Sequence, residues 1–291
     1  MKAHRSGSVL LVALAAVAVA STLAVALAAW LRPQLALSAR RRESREGIRA
    51  CHACIDLFAE SVHCVDTNGC DYLGEQWRLP FALGDPPRAS LAPEFPDAAP
   101  DAHPCDDEEG RLPLNSDDVG PLAELIAIVS DDAGRDACQR LAGEILALRP
   151  IVRREQIRLA PSMSPETYAA LAPFVTAAPV EGINLNTAPK PVLQALFAFA
   201  GRFDASAART LADKIYAFRA DGGHFDSAEP AAVNAALGGL AQAEVLLLAA
   251  AKGRLRAESR HFSSIAESGP ARVVFTYDRE GKRLVRVVEL R

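Results

Sequence analysis

The sequence predicts an α+β protein with a long N-terminal helix, a large helical region and a small C-terminal antiparallel sheet. The stretch from Ser6 to Leu31 contains no charged residue. Residues 112–252 then repeat apolar positions at helical spacing, divided by Pro, Gly or Asp. Finally, "RVVFTYD" and "RLVRVVELR" are rich in β-branched residues and are joined by "REGK", which is typical of a hairpin.

The N-terminal apolar stretch predicts a helix that crosses a membrane. Residues 8–31 would rise about 36 Å as a helix, which exceeds the ~30 Å hydrocarbon core of a bilayer. A secretory signal peptide would have a shorter apolar core and a small-residue cleavage site. Ala28 and Ala29 are small, but the "WLR" that follows them does not fit the cleavage site of a signal peptide. A retained membrane helix is therefore favoured over a removed signal.

Two signals disagree about the side on which the body lies. The arginines after the apolar stretch outnumber the basic residues before it, and the positive-inside rule would place the body in the cytoplasm. Long domains translocate largely regardless of nearby charge, however, and an even number of cysteines is typical of an oxidising compartment. All six lie in the first half: Cys51, Cys54, Cys64, Cys70, Cys105 and Cys138. We therefore expect the body in the periplasm.

The membrane helix is expected to continue as an amphipathic stem to about residue 62. One apolar stripe at helical spacing predicts this stem: Ile48, Cys51, Ile55, Phe58 and Val62. Pro33 should kink the helix near the membrane surface. The proline-rich residues 80–104 predict an extended loop without a core of its own.

The helical region contains an internal repeat. A shift of 71 residues aligns "LPLNSDDVGPLAELI" (112–126) with "INLNTAPKPVLQALF" (183–197), which predicts two similar helical units. We expect Asn115, Asn186 and Thr187 to cap the helices that follow them, as Ser164 should do before Pro165.

The same stretch also resembles the opening of a DNA-binding helix-hairpin-helix. Such motifs continue into a Gly-x-Gly hairpin flanked by basic residues. Here "FAFAGRFDASAART" follows, and the net charge of the chain is −4. A structural cap is favoured, and no nucleic acid partner is expected.

Four segments in order resemble the minor pseudopilin K family of type II secretion systems. Gly7 followed by "SVLLV" is similar to a prepilin peptidase site, with cleavage between Gly7 and Ser8. "YLGEQWRLPF" (72–81), "DEEGRLPLN" (107–115) and "YAALAPFVTAAPVEGINLNTAPKPVL" (168–193) resemble three further blocks of that family. Most pilins carry glutamate at the fifth mature position, where this chain has Val12, and its absence suits a subunit at a filament tip.

The resemblance implies a pilin-like long N-terminal helix with a small antiparallel sheet and a large inserted all-α domain. Its expected divisions are a leader at 1–7, a transmembrane and stem helix at 8–62, a loop region at 63–104, the insertion at 105–252 and a C-terminal hairpin at 253–291. Implied partners are the minor pseudopilins H, I and J, the inner-membrane assembly platform, the prepilin peptidase and membrane lipid. A minor pilin of a related type IV filament is the neighbouring alternative.

The cysteines are expected to form disulfides. The preferred pairs are Cys64 with Cys70 and Cys105 with Cys138, which leaves Cys51 with Cys54. A zinc site at the C-x-x-C with His52, His63 and Cys64 is disfavoured, since a second pair is absent.

The acidic segments give only weak metal candidates. Asp66, Asn68 and Asp71 surround a glycine turn but depart from the spacing of an EF-hand. The resemblance leaves calcium open as a ligand there, although a solvated acidic loop is favoured, as it is for "DDEEG" (106–110). No nucleophile motif of the Gly-x-Ser-x-Gly type occurs, so no enzymatic activity is expected.

Overall fold

The computed structural model describes residues 5–64, 70–72, 74–75, 82–83, 87–94, 105–130, 134–201 and 205–290, with side chains except at 5–9, 63–64 and 82–83. One helix, α1 (Arg5–Cys64), runs through Pro33. Its C-terminal part packs on the sheet through the predicted stripe, in which Cys51, Ile55, Phe58 and Val62 are buried. The rings of Phe58 and Phe275 meet edge to face at 5.6 Å. The predicted stem helix is thus confirmed.

The main sheet is antiparallel and lies against α1. The strands are β1 (Ala82–Leu83), β2 (Ala89–Ala92), β3 (Asp106–Asp107), β8 (His261–Ser268), β9 (Ala271–Asp278) and β10 (Arg283–Leu290). They follow the order β1-β2-β8-β9-β10, and β3 pairs with β8 as well. The predicted C-terminal hairpin is confirmed as β9 and β10.

Two parts of this sheet are absent from the sequence prediction. Strand β8 has the sequence "HFSSIAES", in which serines break the apolar alternation, yet its first six residues are buried. Strand β2 lies in the proline-rich stretch, and its Ala89 and Leu91 join the core under α1. The prediction of a loop without a core is therefore wrong for residues 89–92.

The helical insertion consists of two similar units, as predicted. Each opens and closes with a short strand, and these strands pair in parallel within their unit. The first unit comprises β4 (Leu112–Pro113), α2 (Gly120–Val129), α3 (Arg135–Ala147), α4 (Pro165–Leu171) and β5 (Val175–Thr176). The second comprises β6 (Ile183–Asn184), α5 (Lys190–Ala200), α6 (Ala205–Ala220), α7 (Pro230–Ala236), α8 (Gln242–Ala251) and β7 (Leu255–Arg256).

The two units share one apolar core because α2 packs on α5. This core is separate from the cluster of buried residues that lies between α1 and the sheet. The described residues thus form two apolar cores, and polar contacts lie between them.

The repeated asparagines do not cap helices. Helix α5 begins after Pro189, and α2 after Val119, without a side-chain cap in either case. Asn186 instead binds the backbone of Phe225, accepting from its N–H at 2.7 Å and donating to its carbonyl at 2.9 Å. Asn115 makes the same pair of bonds to Ile151, at 2.9 and 2.8 Å. Each asparagine therefore clamps a distant loop of its own unit.

The capping prediction is also wrong for Thr187 but is confirmed for Ser164. The hydroxyl of Thr187 donates to Asp107 rather than accepting from α5. Ser164 accepts from the N–H of Thr167 at 3.0 Å and caps α4 ahead of Pro165. The Ser-Pro signal is purely local, whereas the asparagines act over more than 30 residues of sequence.

The two clamps differ in burial, which predicts different costs for the same substitution. Asn186→Ala should lower the free energy of unfolding by about 2–3 kcal/mol, because it leaves a buried N–H and carbonyl of Phe225 unpaired. Asn115 is exposed, so water can replace it and Asn115→Ala should cost about 1 kcal/mol or less. Denaturant unfolding of the full chain in detergent would measure both, and equal losses would contradict the proposed role of burial.

Candidate functional site

The acidic turn, defined as Asp106–Arg111, lies between the sheet and the helical insertion. Asp106 and Asp107 pair with β8, and the next three residues form a 3-10 turn that Asp107 caps by accepting from the N–H of Glu109 at 2.9 Å. The side chains of Asp107, Glu108 and Glu109 are all buried. The expectation of a solvated loop is therefore wrong for this segment.

Glu108 lies at the centre of the turn and is bound from both sides. Its carboxylate accepts from Arg111 Nη1 at 2.6 Å and from the hydroxyls of Ser263 and Thr176, and Arg154 lies 3.9 Å away. Burial by itself would raise the pKa of Glu108, but the two guanidinium groups outweigh it and lower the pKa to about 2. Glu108 is therefore ionised whenever the protein is folded near neutral pH.

The two arginines extend this contact into both parts of the molecule. Arg111 binds Asp106 at 2.8 Å and the carbonyl of Pro173 at 3.1 Å. Arg154 donates to Glu94 and to the carbonyl of Ala172, both at 3.1 Å. Each guanidinium thus joins an acid beside the sheet to a backbone carbonyl of the insertion.

Asp107 binds the second helical unit. Its carboxylate accepts from the hydroxyls of Thr187 and Ser259 and from Asn184 Nδ2 at 3.3 Å. Burial and the neighbouring Glu109 raise the pKa of Asp107 well above its ordinary value. Asn184, which is fully buried and also donates to Ser259 at 2.7 Å, is a junction residue that the sequence reasoning missed.

Glu109 binds the first residue of β8 with both carboxylate oxygens. One accepts from the N–H of His261 at 3.0 Å, and the other meets His261 Nδ1 at 2.8 Å. Burial would lower the pKa of His261, but the hydrogen bond and charge of Glu109 exceed that effect and raise it. This pair ties the turn to the sheet in a pH-dependent manner.

Asp71, one of the weak calcium candidates, belongs to the same junction. Its carboxylate receives two bonds from Arg279, at 2.7 and 2.8 Å, and one from the N–H of Ser259 at 2.6 Å. An arginine and a backbone donor occupy the oxygens that calcium would need, so Asp71 does not fit a calcium site. Asp66 and Asn68 lie outside the described residues.

The junction can bind, but it offers no arrangement for catalysis among the residues the structure describes. Its acids are all engaged by arginines, hydroxyls or backbone N–H groups. Such an arrangement stabilises one relative position of the sheet and the insertion, because removing a single partner would leave a buried charge uncompensated. The contacts of the junction therefore serve to fix the insertion on the sheet.

A known structure has a similar fold. It is a chain in the crystal structure of the GspK-GspI-GspJ complex from the enterotoxigenic Escherichia coli type 2 secretion system, with a TM-score of 0.63 over 87% of this chain and 99% of that chain. The chain has the fold of a type 2 secretion component. At 14% identity this likeness shows the fold alone, and it confirms the fold class that the sequence predicts. No family model and no curated protein matches the sequence.

The N-terminal part of α1 is an exposed apolar surface. By length and composition the helix could cross a membrane, with a mean hydropathy of 2.6 in its most apolar window and none of that window buried. Gly7 and Ser8, the predicted processing pair, lie in the first turns of this helix.

Among the cysteines whose side chains the structure describes, the expected pairs Cys51–Cys54 and Cys105–Cys138 are not formed. Cys51, Cys54, Cys70, Cys105 and Cys138 are buried free thiols, and the side chain of Cys64 lies outside the described part. Cys51 faces the carbonyl of Ala266 at 3.3 Å, so it points to the sheet rather than to Cys54. Cys105 lies in the core under α1 and Cys138 in the core of the insertion, which separates that pair.

Arg111 and Glu108 can be tested by removing each partner and then both. Arg111→Met should lower the free energy of unfolding by about 3–5 kcal/mol, because it leaves the Glu108 carboxylate buried without its nearest cation. The double variant with Glu108→Gln should lose less than the sum of the two single losses. Arg42→Met, which breaks an exposed ion pair with Glu46, is the matched control and should show no measurable change. Additive losses in denaturant unfolding would contradict the coupling.

His261 predicts a decline of stability in mildly alkaline solution. Its folded pKa is raised above the ordinary value of 6.5, so its contribution is complete below about pH 6.5 and is lost as pH rises through the folded pKa. The melting temperature of the wild-type chain should therefore fall between about pH 6 and pH 8.5, and His261→Gln should reduce this fall. His52→Gln, at an exposed site on α1, should retain it. An identical pH profile for wild type and His261→Gln would exclude this origin.

Proposed function

We propose that the chain is a minor pseudopilin at the tip of a type II secretion pseudopilus, where it starts and caps the filament. The observation that carries the proposal is the position of the insertion, at the end of the sheet opposite to the membrane helix. In this proposal the filament drives export of folded periplasmic proteins across the outer membrane.

The direction of the insertion follows from contacts at the two ends of β8. At one end, α1 passes so close to the turn after β8 that a Cβ on Gly47 would lie 2.8 Å from Ala271 Cβ. Gly47 is the first buried residue of α1 after its exposed apolar part. At the other end, His261 binds the acidic turn and with it the insertion. The bulk of the insertion therefore lies away from the membrane anchor, where it would cover the far end of a filament.

The apolar part of α1 supports membrane anchoring and assembly. Its large side chains are exposed, with Leu10 at 64% and Val12 at 70%. Such a surface needs lipid or neighbouring apolar helices, which a pseudopilus core supplies. Val12 carries no charge at the fifth mature position, so it offers nothing to neutralise the N-terminus of a subunit above it. This suits the last position in the filament.

We infer partners and location from the same features. The similar chain belongs to a complex with two other components, and by analogy this chain would bind the minor pseudopilins I and J and, with them, H. Residues 1–7 would be removed by the prepilin peptidase, after which the assembly platform would draw the anchored chain from the inner membrane. The body would then lie in the periplasm.

A processing test addresses the anchor. Gly7→Val should block cleavage before Ser8, leave the chain in the membrane and reduce secretion to the level of the deletion strain. Mass spectrometry of the N-terminus and the secreted activity would be measured together. Gly143→Val, at an exposed position of α3 with free space around it, is the control and should leave both unchanged. Normal secretion by uncleaved protein would contradict the proposed role.

A second arm of this test addresses capping. The insertion can be removed by replacing residues 112–256 with a short Gly-Ser linker, because Ser259 donates to Asp107 near the two cut ends. Glu108→Gln is combined with this deletion, since the deletion removes Arg154 and Thr176, which bind the buried Glu108 carboxylate. The shortened chain should still co-purify with I and J in detergent but should no longer support secretion or limit filament length. Secretion that survives removal of the insertion would exclude the capping role. If the full chain failed to co-purify with I and J, the proposed partners would be excluded.

A further inference from the structure

A second cluster of donors lies outside the acidic turn. Cys70 Sγ, His224 Nε2 and Asp226 Oδ1 all lie within 4.8 Å of one another. The nitrogen and the carboxylate oxygen are 3.3 Å apart, and the sulfur is 3.9 Å from that oxygen. Zn–N and Zn–O bonds of about 2.0 Å and a Zn–S bond of about 2.3 Å place tetrahedral ligand atoms about 3.3–3.6 Å apart. The nitrogen–oxygen separation of 3.3 Å therefore matches a zinc site, the sulfur–oxygen separation of 3.9 Å is slightly longer, and the sulfur–nitrogen separation is within 4.8 Å.

The two arms of this cluster are held in place by buried contacts. His224 and Asp226 flank Phe225, whose N–H and carbonyl are both bound by the buried Asn186. The side chain of Phe225 is buried in the core of the insertion, so its two neighbours are directed outward together. The Asn186 clamp thus presents an imidazole and a carboxylate from one short loop.

The third donor is fixed by its neighbour. Cys70 precedes Asp71, whose N–H donates to the carbonyl of Ala257 at 2.9 Å and whose carboxylate binds Arg279. Asn186 also donates to the carbonyl of Ala257, at 3.4 Å, so both arms of the cluster meet at one residue. The ring of Tyr72 stacks on His224 with centroids 4.4 Å apart and orients the imidazole.

The electrostatic surroundings favour a cation. The carboxylate of Asp226 lies 3.9 Å from Cys70 Sγ and 3.3 Å from His224 Nε2, so it places a negative charge between the other two donors. A thiol that coordinates a divalent ion loses its proton to the metal. Sulfur and imidazole ligands select zinc over calcium or magnesium.

We propose that Cys70, His224 and Asp226 form a structural zinc site, with water at the fourth position. The ion would join the segment after the stem helix to the second helical unit. The site does not depend on the secretion role, so it can be tested on the purified chain alone.

The test is zinc binding by the full chain in detergent, after chelator treatment under reducing conditions. The wild type should bind one equivalent of Zn²⁺, unfold at a higher temperature with it, and show a thiolate-to-metal absorption band with Co²⁺. His224→Gln and Asp226→Asn lie at partly or fully exposed side chains and should preserve the fold. Each should weaken binding by more than about 100-fold, since even partners of metal ligands contribute 10–100-fold.

Further variants distinguish the site from other thiols. Cys70→Ser should abolish the Co²⁺ band, whereas Cys138→Ser and His52→Gln should leave both band and affinity unchanged. Zinc affinity that persists in His224→Gln and Asp226→Asn would overturn the proposal. So would a disulfide between Cys64 and Cys70 in protein isolated from the cell, because that bond would remove the sulfur ligand.

Discussion

The ion pair of Glu108 with Arg111, supported by Arg154, is the interaction on which the arrangement of the two cores depends. Apolar packing holds α1 to the sheet and α2 to α5, but the boundary between these cores is polar and buried. A buried carboxylate is stabilising only when its partners are complete. Here the partners come from the strand β8, from the turn itself and from the insertion, so the network forms only when all three are in place. Because the network needs all of its partners, it is costly to disturb, and it also specifies one relative position of the sheet and the insertion.

Features with a local or periodic cause could be predicted from the sequence. The stem stripe, the β9–β10 hairpin, the Ser164 cap and the two helical units each follow from neighbours within a few residues or from a direct repeat. The acidic turn could not be predicted in this way, because a run of acids indicates exposure unless its cations are known. Arg154 lies 46 residues beyond Glu108, and His261 lies 152 residues beyond Glu109. Only Arg111, three residues after Glu108, was a visible sign that this acid has a partner.

The error over Asn115 and Asn186 has a related physical origin. An asparagine before a helix can cap it or bind another loop, and the local sequence is the same in both cases. In this fold each asparagine follows the short opening strand of its unit, β4 or β6, and its side chain binds a distant loop of the same unit. The repeat therefore preserves a long-range clamp and not a helix start, and in the second unit that clamp also presents His224 and Asp226.

The free part of α1 has a mechanical consequence. With residues 8–31 in the hydrocarbon core, residues 32–46 form an upright spacer of about 22 Å before the first contact with the body at Gly47. Headgroups occupy only about 5–7 Å of this height, so the body stands clear of the bilayer surface. A tilt of 10° at the membrane would shift the base of the body by about 4 Å over this spacer, and more at the insertion beyond it. In a membrane-anchored chain the helix would convert small rotations at the membrane into larger displacements at the far end of the molecule.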